Sequence, residues 1–354
     1  MSEPTGERLR FLIFGAGAIG TLVGGSLAHA GYPVVFLERP EHQDELKSRG
    51  LRLHIGQEDI AIINPRVAAN LGEALGMMPF DVAVFAVKAY DTQVVIRSFI
   101  PYRDRLPVFL CLQNGVENET ALEAALGRES VIPGMVTHEI NRQRVGDITL
   151  QHRRGMGLGA AHPLSPRLSQ ALQEAQLNSR IYQDTASMKW SKMLTNLVNN
   201  ATSAILKMTP AEIFRDRDLA RLELAQLRET MSIMAAMGLH VVDLPGLPMR
   251  ILDTAIRKLP DDLSMHLLSG LLGDRRGNKK SSFYLDLMSG KKVGEVEYLN
   301  GAVVRYGVRL GIPTPVNRLL TQTLTALING EYRADRFDHQ PEKLQDLLAT
   351  RPGG

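Results

Sequence analysis

Two fold classes follow one another in this sequence: an α/β parallel-sheet domain, then an all-α domain. Three observations predict them. Through the first half, apolar runs of four to eight residues alternate with longer periodic stretches. From about Thr185 the runs give way to helical periodicity. A glycine turn, Gly15 to Gly20, directly follows the first apolar run.

The runs are continuous rather than alternating, which marks strands buried on both faces of a parallel sheet. In order they are "LRFLIFG", "PVVFLER", "FDVAVFAVK" and "LPVFLCLQNG", with a helix from about Ile19 to Ala30 between the first two. Next, "GMVTHEINRQRVGDITLQHRRGMGLGAA" shows shorter alternation with glycine and β-branched residues, and predicts a strand pair that extends this sheet. "DLARLELAQLRETMSIMAAMGL" and "NRLLTQTLTALINGEY" then repeat apolar residues at helical spacing. The first of these, from Asp218 to Leu239, serves either as core or as a dimer face. Val242 to Lys280 is rich in Pro, Gly and charge and reads as short helices joined by loops, mobile at Arg275 to Lys280. The expected boundaries are a sheet domain over 1–184, a helical domain over 185–340 and a tail over 341–354.

Composition narrows the function. With 354 residues, 44% hydrophobic and 22% charged, the chain can fill two cores and has no disordered signature. The 41 basic and 38 acidic residues nearly balance, and no basic run is interleaved with aromatics, so no nucleic-acid partner is expected. The lone Cys111, in an apolar run, reads as core and excludes both an internal disulfide and a cysteine metal cluster. No metal is expected. No run reaches a membrane-spanning length of about 18 apolar residues, and the N-terminal run is short for a signal segment. A cytoplasmic protein without a membrane partner is expected, as monomer or homodimer.

"GAGAIG" fits the dinucleotide fingerprint in the required context, after a strand and opening a helix. Gly15 permits the tight turn, Gly17 lets the backbone approach a pyrophosphate, and Gly20 allows close packing of helix on strand; Ala16, Ala18 and Ile19 complete the loop. A Rossmann-type domain follows from this. About 20 residues on, the second strand ends at Glu38 and Arg39, which argue in opposite directions. A carboxylate suits a ribose 2'-hydroxyl, so Glu38 admits NADH, whereas a guanidinium suits the 2'-phosphate of NADPH.

Ligands of open parallel sheets bind beyond the carboxyl ends of the strands. Lys88 and Asn114 end two of these runs, where each reads as a site residue or, more plainly, as a snorkelling lysine and an Asn-Gly turn. In the helical half, "KWSKMLTNLVNN" repeats Lys192, Asn196 and Asn200 every four residues. On one continuous helix these would share a face, with Met193, Leu194, Leu197 and Val198 on the others. Such a stripe is either a solvated face or a line of polar groups built for a ligand.

The segments "GAGAIG", "AVKAYDT", "LQNGVEN", "KWSKMLTNLVNN", "SSFYLDL" and "GEVEYLNGAVVRYG", ending in "GIPTPVN", together resemble the ketopantoate reductase (2-dehydropantoate 2-reductase) family. They occur in that family's order from about residue 10 to 330. The resemblance implies a Rossmann domain followed by a helical domain, NADPH as cofactor and a small anionic keto acid as substrate. It implies Lys192 as general acid, Asn114, Asn196, Asn200 and Ser282 on the substrate, and Glu295 near Lys192 and the nicotinamide ribose. It further implies Arg39 at the 2'-phosphate, Lys88 and Asn114 on the cofactor side, and a backbone contact at Glu139. Taken by themselves, Ser282 reads equally as a helix cap and Glu295 as a solvated carboxylate. Three features depart from the family pattern: Pro210 replaces a substrate asparagine, Glu38 precedes Arg39, and the segment 242–280 is long.

The implied chemistry is balanced. Hydride addition to a 2-keto acid drives charge onto the carbonyl oxygen, and a cation with a proton to give lowers that barrier. A free lysine titrates near about 10.4, so donation at neutrality calls for burial or a second cation, which Glu295 would oppose. The leading expectation is NADPH-dependent reduction of ketopantoate to pantoate, on the route to coenzyme A. Two alternatives are a related reductase of another 2-keto or 3-hydroxy acid and a module that senses NADPH without turnover.

Overall fold

The computed structural model of the chain describes residues 7–270, 281–288, 290 and 292–350. They fall into two compact units: Met1–Gln113 with Asn118–Thr185, and Asn114–Glu117 with Ala186–Gly354. The expected mobile stretch at Arg275 to Lys280 lies outside the described residues.

In the first unit the strands are β1 (Phe11–Phe14), β2 (Val34–Leu37), β3 (Leu51–Ile55), β4 (Glu58–Ile62), β5 (Arg66–Ala68), β6 (Val82–Phe85), β7 (Val108–Cys111), β8 (Val131–Val136), β9 (Glu139–Arg144), β10 (Asp147–His152), β11 (Met156–Gly159) and β12 (Ser179–Tyr182). Its helices are α1 (Ala18–His29), α2 (Pro40–Arg49), α3 (Leu71–Met77), α4 (Thr92–Arg97), α5 (Asn118–Leu126) and α6 (Ser165–Glu174). The main sheet runs β12-β11-β8-β7-β6-β1-β2-β5, and every neighbouring pair is parallel except β8 with β11. From β1 the chain adds β2 and β5 on one side and β6, β7 and β8 on the other. The strand order therefore reverses beside β1, where such sheets bind nucleotides.

The continuous apolar runs have the burial they require. Alternate residues of each strand feed two cores, one per face. Phe11, Ile13, Phe36, Val84 and Leu110 pack with Leu22 and Leu27 of α1 and Leu168 and Leu172 of α6. Leu12, Phe14, Phe85, Phe109 and Cys111 pack with Leu71 and Leu75 of α3 on the other face. Cys111 is buried, as its neighbours predict.

The expected extension of the sheet is corrected. β8 and β11 do join the main sheet, but the hairpin β9–β10 between them leaves it and forms a second sheet, β4-β3-β10-β9. The reason lies in residues 51–62, a second hairpin not assigned from the sequence. Its strand β3 pairs in parallel with β10, Asp147 opposite Arg52, and buries Leu51 and Leu53 with Ile148 beneath α1.

The second unit is helical: α7 (Thr185–Leu197), α8 (Asn200–Leu206), α9 (Pro210–Arg215), α10 (Arg217–Ala236), α11 (Met249–Lys258), α12 (Asp261–Leu268), α13 (Ser282–Met288), α14 (Asn300–Leu310), α15 (Pro315–Asn329) and α16 (Pro341–Thr350). The apolar stripe of α10, including Leu219, Leu227, Met231 and Met234, is buried within the single chain, so it is core. Glu229, on the same helix, accepts hydrogen bonds from Val316 N and Asn317 N at the start of α15, and its burial pushes its pKa up. The expected tail is largely helix, and α16 buries Leu344. Among the described residues no helix is long and apolar enough to cross a membrane.

The turn from β8 to β9 carries a buried titratable group. Nδ1 of His138 accepts from Arg154 N at 3.1 Å, so its proton sits on Nε2, which donates to Leu177 O at 3.1 Å. Burial first, then Arg153 and Arg154, lower its pKa from 6.5 to about 4. The folded chain therefore resists a proton that the unfolded chain takes up below about 6.5. Stability should be full above that pH and fall between about 6.5 and 4, by about 3 kcal/mol at about 1.4 kcal/mol per pH unit. Urea titrations across this range check it, and His138→Asn should flatten that part of the profile.

Candidate active site

In the first unit the glycine loop joins β1 to α1. Gly15 has φ +85°, a left-handed backbone that glycine adopts without strain. The Ala16 peptide is gripped on both sides. Its N–H donates to Glu38 Oε2 at 2.6 Å, while its carbonyl accepts from Thr21 Oγ1 at 2.9 Å and Gly146 N at 3.0 Å. Gly146 is the β9–β10 turn, so the second sheet braces the loop. No side chain caps α1, leaving its first amides as donors for an anion.

Two glycines of the loop have different duties. A Cβ on Gly20 would stand 1.9 Å from Gly15 O, so this position must stay bare for helix to meet strand. A Cβ on Gly17 would meet nothing within 4 Å, and that open cradle is the shape a pyrophosphate needs.

Glu38 is engaged by the loop itself. Its carboxylate turns onto Ala16 N and onto Arg39 N at 2.9 Å, stitching the end of β2 to the loop. Arg39 is 65% exposed and pairs with Asp91 at 3.4 Å. Lys88, half-buried, precedes a single helical turn at Ala89–Asp91. Gln113, which sequence reasoning passed over, is buried and donates through Nε2 to Val87 O at 2.9 Å and Thr92 Oγ1 at 2.8 Å. It thereby fixes the strand end that carries Lys88. A polar residue amid "CLQNG" was the available signal. Glu139 opens β9 and pairs with His152 at 3.0 Å and Arg154 at 3.7 Å.

In the second unit Lys192 and Asn196 share the half-buried face of α7. Lys192 Nζ donates to Asn196 Oδ1 at 2.8 Å and Thr195 Oγ1 at 3.1 Å. Asn196 Nδ2 then donates to Asn114 Oδ1 at 3.1 Å. Thr195, also missed from the sequence, donates its own hydroxyl to Lys192 O at 2.8 Å. The single-helix expectation is corrected at Asn200. α7 stops at Leu197, Asn199 turns left-handed at φ +57°, and Asn200 opens α8. Asn200 still meets the others, because its Nδ2 donates to Asn196 O at 3.1 Å. Its Oδ1 accepts from Ser282 Oγ and Phe283 N, both at 3.2 Å, and so caps α13. Ser282 is thus at a helix start and bonded to Asn200 together.

Glu295 is 6% exposed at the head of a single turn, Glu295–Tyr298, and is not a solvated carboxylate. Pro210 is the first residue of α9, between Thr209 and Glu212, which form a capping box. Proline suits that position because its missing N–H costs no bond there. It offers no amide side chain.

The first unit thus offers loop amides of the kind a dinucleotide pyrophosphate takes, and the second, by itself, holds an ammonium oriented by hydrogen bonds. The chain matches the family model "Ketopantoate reductase PanE/ApbA" over residues 11–163 and its C-terminal counterpart over 184–328. The chain belongs to the ketopantoate reductase family, whose members are pyridine-nucleotide-dependent reductases. It is similar to the 2-dehydropantoate 2-reductase of Archaeoglobus fulgidus, 28% identical over 91% of this chain and 98% of that one. It is also similar to that of Pyrococcus horikoshii, 26% identical over 88% and 95%. Among solved structures, a ketopantoate reductase from Ralstonia eutropha shares the fold with a TM-score of 0.76 at 24% identity, over 91% of this chain and 99% of that one. D-mandelate dehydrogenase with NADH and anilino(oxo)acetate shares it at 0.74 and 19%, over the same shares.

The glycines separate binding from folding. Gly20→Ala should lower the unfolding free energy by about 1–3 kcal/mol, because backbone must shift. Gly17→Ala should leave the melting temperature within about 2 °C yet weaken NAD(P)H about tenfold or more, since the methyl enters the cradle. Thermal melts and fluorescence titration with the cofactor check both.

Proposed function

We propose that this chain reduces ketopantoate to pantoate with NADPH, with Lys192 as general acid. The observation that carries the reading is the chain of hydrogen bonds from Lys192 through Asn196 to Asn114. The bound dinucleotide supplies the hydride for the carbonyl carbon of the substrate. Lys192 gives a proton from Nζ to the carbonyl oxygen as charge builds there. Asn196 Oδ1 and Thr195 Oγ1 take two of the N–H donors of Lys192, which fixes where the ammonium stands. Asn114 and Asn196 orient the substrate with neutral groups, adding no charge beside its carboxylate. Ser282 Oγ donates to Asn200 Oδ1, and on binding the same hydroxyl would turn its one proton to the substrate carboxylate, leaving Asn200 Oδ1 on Phe283 N.

For the cofactor, Arg39 would pair with the 2'-phosphate in exchange for its exposed and therefore weak contact with Asp91. Glu38 opposes this. Its charge cannot turn away without releasing the amides of Ala16 and Arg39. NADH should accordingly remain a usable reductant. A second reading, reduction of a different 2-keto acid, is favoured by Pro210, which removes one amide from the substrate set.

Cofactor oxidation with ketopantoate and a panel of other 2-keto acids is the direct assay. Lys192→Ala should lower kcat by about two orders of magnitude or more, with NADPH affinity nearly unchanged. A loss of less than about threefold would remove the assigned role. Glu38→Gln keeps an acceptor for Ala16 N and removes the charge. It should raise the preference for NADPH over NADH by on the order of tenfold, whereas Arg39→Ala should lower it by as much. The ratio of kcat/KM values for the two cofactors reads both changes.

A further inference from the structure

The junction of α7 and α8 is held by a residue outside the lysine–asparagine set. Glu223 lies within α10 and has no exposed surface. A buried carboxylate needs donors, and among the described residues those that reach it include three. They are Asn199 N at 2.7 Å, Thr202 Oγ1 at 2.5 Å and Gln226 Nε2 at 2.5 Å. The first donor is the left-handed residue of the break itself, and the second belongs to the first turn of α8. Gln226 Nε2 also lies 3.4 Å from Leu197 O, at the end of α7. Gln226 is fixed in turn, because its Oε1 accepts from Asn300 Nδ2 at 3.1 Å and its carbonyl accepts from Asn317 Nδ2 at 3.0 Å.

Position 199 contributes backbone rather than side chain. Its buried amide atoms meet no hydrogen-bond partner among the described residues, while its N–H faces Glu223. Asparagine tolerates the left-handed region better than most residues, but few residues adopt it without a stabilising contact. Glu223 supplies that contact and holds both sides of the turn. Without it α7 would be free to continue through Asn200, which would carry Asn200 away from Ser282 and Phe283.

We infer that Glu223 is a positioning residue: its carboxylate holds the α7–α8 break, and so sets Asn200 and Ser282 against Lys192 and Asn196. This rests on the proposed reading of those residues. The test uses the full chain in four variants, Glu223→Gln, Glu223→Leu with Thr202→Val, Asn199→Gly and Asn199→Val. The double variant removes the carboxylate and its hydroxyl donor together, leaving an apolar contact. It should fold and bind NAD(P)H within about twofold of the parent, yet show a keto-acid KM raised about tenfold or more with a lower kcat. Folding with unchanged keto-acid kinetics would overturn the proposal, since the carboxylate would then only fill space. If the double variant does not fold, the pair at 199 decides. Glycine keeps the left-handed turn and its N–H and should retain kcat/KM; valine cannot keep it and should lose about tenfold or more. Equal kinetics in that pair would overturn the proposal. Should the parent reduce none of the 2-keto acids, the substrate reading fails, and amide exchange still judges the tether. The Asn199 N–H should exchange slowly in the parent and about tenfold or more faster in Glu223→Gln. Exchange in the parent as fast as in an exposed loop would overturn it.

Discussion

An ammonium can only donate, and the polarity of the Lys192 cluster in the second unit follows from that. Lys192 obliges Asn196 to turn its oxygen toward Nζ. Asn196 must then present its amide nitrogen elsewhere, and Asn114 accepts from it through its oxygen. A single donor-only residue thus orients two side-chain amides that lie 82 positions apart in sequence. A carboxylate at Asn114 could still accept from Asn196, but it would add negative charge near the ammonium and repel an anionic substrate.

The nucleotide loop obeys a different constraint, since it must expose backbone amides and yet keep one shape. Its solution is to spend the peptide of Ala16 internally, N–H on Glu38 and carbonyl on Thr21 and Gly146, and to leave the amides at the start of α1 for a ligand. Glu38 is therefore as much part of the loop as the glycines are. Substituting its charge is a change in the electrostatics of the cofactor pocket, while removing its oxygen is a change in the loop.

Much of this was legible in the sequence. The parallel sheet could be read because strands buried on both faces must be apolar throughout, and Phe11 to Phe14 or Val82 to Phe85 cannot be mistaken for half-exposed strands. The glycine turn could be read because its spacing follows from steric demands that the contact of Gly20 with Gly15 bears out. What stayed hidden depended on partners distant in sequence. The hairpin β9–β10 alternates like any edge strand, and nothing local says that β3 will claim it. The break at Asn199 was masked by regular four-residue spacing, and the doubled asparagine at 199 and 200 was its only local sign. Its stabilising carboxylate, Glu223, is 24 residues away. Glu38 shows the same limit: its position was legible and its hydrogen-bond partner was not.

The parallel pairing of β3 with β10 has a consequence for how the chain comes into being. Arg52 N donates to Gly146 O, and Gly146 N donates to Ala16 O, so the loop is braced only after residues 94 and 130 positions apart have met. Contacts of such separation close slowly and late. During synthesis β1, α1 and β2 emerge early, but the brace must wait for the β9–β10 turn to leave the ribosome. A nascent chain can hold the nucleotide fingerprint long before it holds the nucleotide. Competence to bind cofactor is thus a property of the completed first unit rather than of the short motif that names it.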